Sequence, residues 1–273
     1  MAYELIQENK SRNDATKGIV INGWTITSKK ASICNSTEMN NLQQAFGIPP
    51  PEMVFGDNHV TLKKGDMKLT FNAKDALALV DASSNSSEHI KVAYAEEWTR
   101  KSTANHTDVK DVIKPYDWTY STVYNGTLVS GPQFEEAETP IIDIQQLKKP
   151  EPILFYDEIV LYEDELADNG TAILSIRLRV MPSCFLILQR FFLRVDDVLF
   201  RINDTRLYHE FGSQFLIREY TSKEEHYQNI RKKLPPGKAD ISILNDANWV
   251  ATALPETPQV FKRERLDVSA SAV

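Results

Sequence analysis

Cysteine is almost missing from this 273-residue chain, which has only Cys34 and Cys184. Two cysteines exclude a disulfide framework. Cys184 lies in an apolar run, so we expect a buried thiol there. Long apolar runs are missing too, because no stretch approaches the ~18 consecutive apolar residues that a membrane-spanning helix needs. The N-terminal residues contain no apolar signal core, so we expect a protein of the cytosol, and also of the nucleus, with no membrane partner.

Positive charge is in deficit. The chain has 31 lysines and arginines against 38 aspartates and glutamates, a formal net charge of -7. Binding to nucleic acid needs a basic surface, so we expect no nucleic-acid partner. The hydrophobic fraction of 42% is that of an ordinary globular protein, and the length provides ample core for one large domain or two small ones.

The familiar catalytic motifs are also missing. There is no G-x-S-x-G turn for a serine nucleophile and no glycine-rich phosphate loop. The string Gly56-Asp57-Asn58-His59 resembles a fragment of a metallophosphoesterase, but such a site needs several ligands from separate strands around two metals. We interpret this string as a loop turn and expect neither metal nor cofactor. A metal-dependent phosphoesterase centred on Asp57 and His59 is the alternative that this string leaves open.

Arginine residues occur at unusual positions in this sequence. Six arginines and no lysine lie between Arg177 and Arg206, inside strand-like apolar runs. A planar guanidinium is the cation best suited to fixed, bidentate pairing with carboxylates. The segment therefore indicates either an internally braced sheet or a surface that grips an acidic partner. We expect the acidic run at 157–168 to supply cross-strand partners for Arg177, Arg179, Arg190 and Arg194.

The sequence pattern predicts an α+β fold that is mostly an antiparallel β-sheet meander, in one sheet or two packed sheets, with short flanking helices. Apolar residues from Ala172 to Tyr220, alternating with polar ones in the first and last runs and almost continuous over 185–195, predict four or five strands, with turns at Asp196-Asp197 and Asn203-Asp204. Asn-Gly dipeptides at 22–23 and 125–126 predict two hairpins. The predicted helices are 37–46, one that begins after Asn72, 143–149, and 222–233.

We expect one domain over residues 18–234, since no convincing linker interrupts it. Residues 1–17 are polar and are predicted to form a flexible N-terminus. A Pro-Pro-Gly string after Leu234 ends the last predicted helix. Residues 235–273 are predicted to be a tail that is partly loosely docked and partly disordered.

Several long strings in residues 18–222 carry a family resemblance. They include PEMVFGDN at 51–58, FNAKDAL at 71–77, VAYAEEW at 92–98, IKPYDWTYSTVYNGTL at 113–128, LYEDELADNG at 161–170, RVMPSCFLILQRFFLR at 179–194, RINDTRLYHE at 201–210 and REYTS at 218–222. These strings resemble the TIPRL family, the TIP-forty-one group of TOR-pathway regulators.

The resemblance implies a non-catalytic regulator that binds the catalytic subunits of type 2A serine/threonine protein phosphatases. It also implies a role in TOR signalling, a link to alpha-four-like phosphatase regulators, and a cleft that takes the extended C-terminal tail of the phosphatase. Ile202 stands where animal relatives have methionine, and Lys74 stands where the family has threonine. The positions that the resemblance implicates in binding are Asp75, Ile142, Ile202, Asp204 and Tyr220.

We add Arg206 and Tyr208 as candidates, because a tail that ends in a carboxylate suits an arginine and a tyrosine near a strand end. The predicted recognition site is thus the turn at Asn203-Asp204, with Arg206 behind it and Tyr220 at the end of the last strand. We expect a monomer. A scaffold that binds only other regulators, without touching a phosphatase, is a further alternative.

Overall fold

The structure, a computed structural model, describes residues 2–11, 14–80, 118–235 and 241–269, and within them it has two antiparallel sheets. The first sheet is formed by β1 (Tyr3–Ser11), β2 (Asp14–Ile21), β3 (Trp24–Lys30), β5 (His59–Lys64), β6 (Met67–Asn72) and β7 (Thr127–Ser130), in that spatial order. The second is formed by β4 (Met53–Val54), β9 (Phe155–Asp164), β10 (Gly170–Val180), β11 (Cys184–Val195), β12 (Leu199–Glu210), β13 (Phe215–His226), β14 (Val260–Asp267) and β8 (Glu135–Glu136), again in spatial order. The predicted α+β class and the antiparallel meander are confirmed.

Short helices flank the sheets. They are α1 (Ser36–Phe46), α2 (Ala73–Leu77), α3 (Ile144–Leu147), α4 (Tyr227–Arg231), α5 (Ala247–Ala253) and a 3-10 helix (Ile241–Asn245). In the part of the chain that the structure describes, no helix is long and apolar enough to span a bilayer.

Local sequence signals explain where several elements begin and end. The Asn35 side chain accepts from the backbone N–H groups of Thr37 and Glu38, and the Glu38 carboxylate accepts from the Asn35 N–H, so the predicted capping box forms. Asn22 and Gly23 both have positive φ, which the tight turn between β2 and β3 requires. The lysine-glycine-aspartate turn between β5 and β6 places Gly65 at φ 53.

The main core lies between the two sheets. Period-two alternation buries Leu174, Ile176 and Leu178 of β10 against the first sheet. Trp24 of the first sheet meets Phe185 of the second edge to face, with ring centroids 4.9 Å apart. We call the side of the second sheet that packs here its inner face.

The opposite side of the second sheet, its outer face, is covered only in part. At one end α4, α5 and the 3-10 helix bury Phe192, Phe200 and Ile202. At the other end the segment around α3 buries Tyr208 and Ile217. The middle of the outer face is a band of arginine and carboxylate side chains.

Both ends of the described chain differ from what the sequence predicted. Residues 3–11 form a strand paired with β2 along its length, from Tyr3 opposite Ile21 to Ser11 opposite Asp14. A polar edge strand keeps its backbone hydrogen bonds without an apolar pattern, so this strand gave no signal in the sequence. Residues 260–267, predicted to lie in the loose tail, form β14 between β13 and β8.

Three predicted turns or helices within the domain are also wrong. Asn203 and Asp204 lie in the middle of an unbroken β12, paired on both sides, rather than in a turn. The helix predicted over 222–233 begins only at Tyr227, because β13 stays paired with β12 as far as His226. The hairpin predicted around 125–126 does not form, since β7 pairs with β6.

Candidate functional site

A cleft of about 840 Å³ opens beside the inner face of the second sheet. Its floor is formed by side chains of β12 and β13, among them Arg201 and Tyr220. Its rim is apolar and open to solvent, with Leu79, Val123 and Val260 all at least half exposed. The cleft therefore combines hydrogen-bonding groups below with apolar contact surface above, which suits an extended peptide.

One wall of the cleft is an irregular segment, residues 118–126, held in place by side chains instead of strand pairing. Asn203 donates from Nδ2 to the Thr122 carbonyl at 3.1 Å, and Gln189 donates to the carbonyl of Tyr124. Arg218 donates to the Asn125 carbonyl at 3.3 Å. Because these donors project from three neighbouring strands, the second sheet fixes the backbone of this wall.

Asp75 supports this wall and does not line the cleft. It lies at the start of α2, where its N–H donates to Asn72 Oδ1 at 2.9 Å. Its carboxylate accepts from Asn72 Nδ2 at 2.7 Å and from Thr127 Oγ1 at 2.5 Å. The Thr127 hydroxyl lies 3.0 Å from the hydroxyl of Tyr124, and burial raises the pKa of Tyr124 to about 12. Asp75 thus reaches Tyr124 of the wall through the hydroxyl of Thr127.

Tyr220 lines the cleft, as a binding residue would. It lies opposite Thr205 in the register of β12 and β13, on the inner face. Burial raises the pKa of Tyr220, and nearby Arg201 acts in the opposite direction. The strand that carries Tyr220 continues to His226, so this residue lies within a strand and not at its end.

Asp204 faces the outer side of the same sheet and is the centre of a buried ion network. Arg190 forms a fork with it, Nε to Oδ1 at 2.8 Å and Nη2 to Oδ2 at 2.9 Å. Arg206 donates to the same Oδ2 at 2.9 Å. Arg190 also donates to the Ala247 carbonyl at 3.1 Å, which ties the network to α5. Asp204 is only 4% exposed, so it braces the sheet.

The other arginines of the segment take mixed roles. Arg177 pairs with Glu158 at 2.9 Å across β9 and β10, which confirms its predicted link to the acidic run. Arg190 pairs with Asp204 and Arg194 with Asp196, so the prediction is wrong for those two. Arg179 is exposed and has no ion-pair partner among the residues that the structure describes.

The remaining predicted residues also belong to the outer face. Ile202 lies under the α4–α5 cluster, and Ile142 packs with Tyr208 in the cluster near α3. All three are at most 4% exposed, whereas Arg206 is partly open to solvent. Burial raises the pKa of the Tyr208 hydroxyl. Of the seven predicted residues, Tyr220 lines the cleft, Asp75 supports its wall, and the other five belong to the outer face. Their roles in binding stay predictions.

The string around Asp57 and His59 forms a turn. His59 Nδ1 lies 2.9 Å from the Asp57 carbonyl, and the Asp57 carboxylate lies 3.7 Å from Lys29 Nζ. Across the described ranges, no group of three or more His, Cys, Asp or Glu side chains is placed to hold a metal ion.

Two residues of the cleft floor, Arg201 and Glu224, are not among the residues predicted from the sequence. They lie directly opposite each other on β12 and β13, and they form an ion pair at 2.7 Å. The sequence does contain a pattern that indicates Glu224, because the alternation that turns Tyr220 inward continues through Ser222 to Glu224. Ser222 and Glu225 also resemble a helix capping box, so this stretch was predicted to be a helix instead of a strand.

The sequence is similar to proteins of one known family. The model of the TIP41-like family matches residues 53–231. A human TIP41-like protein is 42% identical over 89% of this chain and 89% of its own length. The "Type 2A phosphatase activator TIP41" of Saccharomyces cerevisiae is 40% identical over 87% of this chain and 71% of its own length. Its counterpart of that name in Schizosaccharomyces pombe is 36% identical over 85% of this chain and 91% of its own. This chain belongs to the TIP41-like family.

Proposed function

We propose that this protein is a non-catalytic regulator of type 2A serine/threonine protein phosphatases. It binds the catalytic subunit directly, takes up the extended C-terminal tail of that subunit, and changes phosphatase activity or assembly within TOR signalling. We place it in the cytosol and the nucleus as a monomer, with an alpha-four-like regulator as a further partner. Support for the phosphatase comes from the two yeast relatives, whose names call them type 2A phosphatase activators.

The cleft is the observation that carries this proposal. An extended peptide turns alternate side chains to opposite sides. In the cleft, one set would meet the apolar rim at Leu79, Val123 and Val260, and the other would meet the polar floor at Arg201 and Tyr220. Binding of the tail in the cleft would then regulate the phosphatase, and this chain would catalyse no reaction.

Direct binding of purified components tests the proposal. We expect a purified type 2A catalytic subunit to bind this protein, and deletion of its C-terminal tail to weaken binding strongly. Val123→Glu should also weaken binding, because a charge on the apolar rim must be desolvated when the peptide docks. Val123 is 63% exposed, so this change does not touch the core.

Val129→Glu is the matched control, since Val129 is also more than half exposed but lies on β7, outside the cleft lining. It should bind like the unaltered protein. If the purified subunit does not bind, while an alpha-four-like regulator does, the chain is a scaffold and the proposal is wrong. Bound metal with phosphoester turnover that His59→Ala abolishes would support the enzyme alternative instead.

A further inference from the structure

Arg201 lies on the floor of the cleft, and each of its three guanidinium nitrogens has a partner. Nε and Nη2 both reach Oε2 of Glu224 at 2.7 Å. Nη1 donates to Ser121 Oγ at 2.9 Å. A carboxylate that enters the cleft can therefore form the side-on fork with Nε and Nη2 together only if Glu224 withdraws.

The pair between Arg201 and Glu224 has the features of an exchangeable contact. The two side chains are 23% and 40% exposed, and ion pairs open to water contribute little to stability. The guanidinium contacts a single oxygen of Glu224, whereas the strongest arginine–carboxylate contacts use two oxygens in parallel. An incoming carboxylate could form the two-oxygen fork that Glu224 does not form.

The backbone of Glu224 is anchored independently of its side chain. Gln259 accepts from the Glu224 N–H at 3.0 Å through its Oε1 and donates to the Glu224 carbonyl at 2.8 Å through its Nε2. Rotation of the Glu224 side chain away from Arg201 would leave these two bonds unchanged. The exchange therefore requires a rotamer change and no rearrangement of the sheet.

We propose that Arg201 binds a carboxylate of an extended acidic peptide, and that Glu224 is a built-in competitor which this carboxylate displaces. A peptide without a correctly placed carboxylate gains nothing from Arg201, so the competitor raises the selectivity of the cleft. The inference rests on the proposed function only for the identity of the peptide, the C-terminal tail of a type 2A catalytic subunit.

Titration with synthetic peptides tests this exchange. The probes are the tail peptide with free carboxylates, one with only its terminus amidated, and one with only its Asp and Glu changed to Asn and Gln. Glu224→Gln should tighten binding of the free peptide by roughly twofold to fivefold, the ratio that corresponds to the free energy of an exposed ion pair. Arg201→Gln should weaken binding and remove the preference for free carboxylates. The double variant should bind as Arg201→Gln does.

The two modified peptides identify the carboxylate that Arg201 binds. If amidation of the terminus weakens binding, the carboxylate is the terminal one; if the change of Asp and Glu weakens binding, it is in a side chain.

Glu219→Gln is the matched control. Glu219 accepts from Arg263 Nε at 2.7 Å in another cross-strand pair, on the outer face, so its loss should leave peptide binding unchanged. Unchanged or weaker binding by Glu224→Gln would overturn the inference, as would a charge preference that survives in Arg201→Gln. If the catalytic subunit binds the unaltered protein but the three peptides bind with equal affinity, the proposed displacement of Glu224 is wrong and the proposed function stands. If the peptides behave as described but the subunit does not bind, the proposed function fails alone.

Discussion

Two arginine–carboxylate pairs lie on opposite faces of the same sheet, and they differ in almost every physical respect. Arg190 and Asp204 face outward, are 10% and 5% exposed in their side chains, and meet as a two-oxygen fork. Arg201 and Glu224 face the cleft, are more exposed, and meet through one oxygen. Arginines of one segment therefore form a two-oxygen brace where water is excluded, and a more open one-oxygen contact where water has access.

The largest expected effect comes from breaking the buried pair. Asp204→Asn should lower the free energy of unfolding by about 3–5 kcal/mol, because it leaves the buried Arg190 without its counterion. Urea unfolding followed by circular dichroism measures this change. Replacing both partners, Arg190→Met with Asp204→Leu, should recover most of the loss, since no buried charge is left unpaired. A loss below about 1 kcal/mol for Asp204→Asn would mean that water reaches this pair as it reaches Arg201.

A second prediction concerns a titratable group between the two sheets. His209 is fully buried beside Trp24 and Phe185, and burial lowers its pKa to about 4. Between pH 6.5 and 4, the unfolded chain therefore binds more protons than the folded chain. The contribution of neutral His209 to the free energy of unfolding is complete above pH 6.5, and it is lost as the pH falls toward 4. The expected loss is about 3 kcal/mol.

His209→Phe isolates that contribution, because it removes the titrating group from an aromatic cluster while keeping a ring. The stability of the variant should fall less steeply than that of the unaltered protein between pH 6.5 and 4, as measured by thermal or urea unfolding at each pH. Parallel curves for the two proteins would show that His209 takes up its proton in the folded state as readily as in the unfolded one.

The smallest effect is expected at the cleft pair. Glu224→Gln should change the free energy of unfolding by less than about 1 kcal/mol, with a smaller change in high salt. A double-mutant cycle on Arg201 and Glu224 should give a coupling energy well below that of Arg190 and Asp204. Equal coupling energies for the two pairs would remove the distinction between brace and exchangeable contact.

The fold class was readable from the sequence because its signals are local. The Asn22-Gly23 turn, the capping box at Asn35 and Glu38, and the period-two burial of β10 each depend on residues within one short window. The same local rules gave the wrong result at Asn203 and Asp204. Both are turn formers by propensity, yet here each side chain has a partner on another element.

Those partners explain why the candidate site was only partly predictable. Asn203 donates to the carbonyl of Thr122, 81 residues away, and Asp204 accepts from Arg190 on the preceding strand. A single sequence does not indicate which distant group satisfies a polar side chain in a strand. The division of the predicted residues between two faces became visible only with the register of β12 and β13.

The position of β14 in the chain has a consequence for the order of synthesis. Ribosomes release the chain from its N-terminus, so β12 and β13 emerge well before residues 260–267. Until then the long β13 is an open sheet edge able to pair with other nascent chains. Gln259 and Val260 arrive together with the strand that closes this edge. The nascent protein therefore completes the lining of the cleft at the same stage at which β13 ceases to be an edge strand.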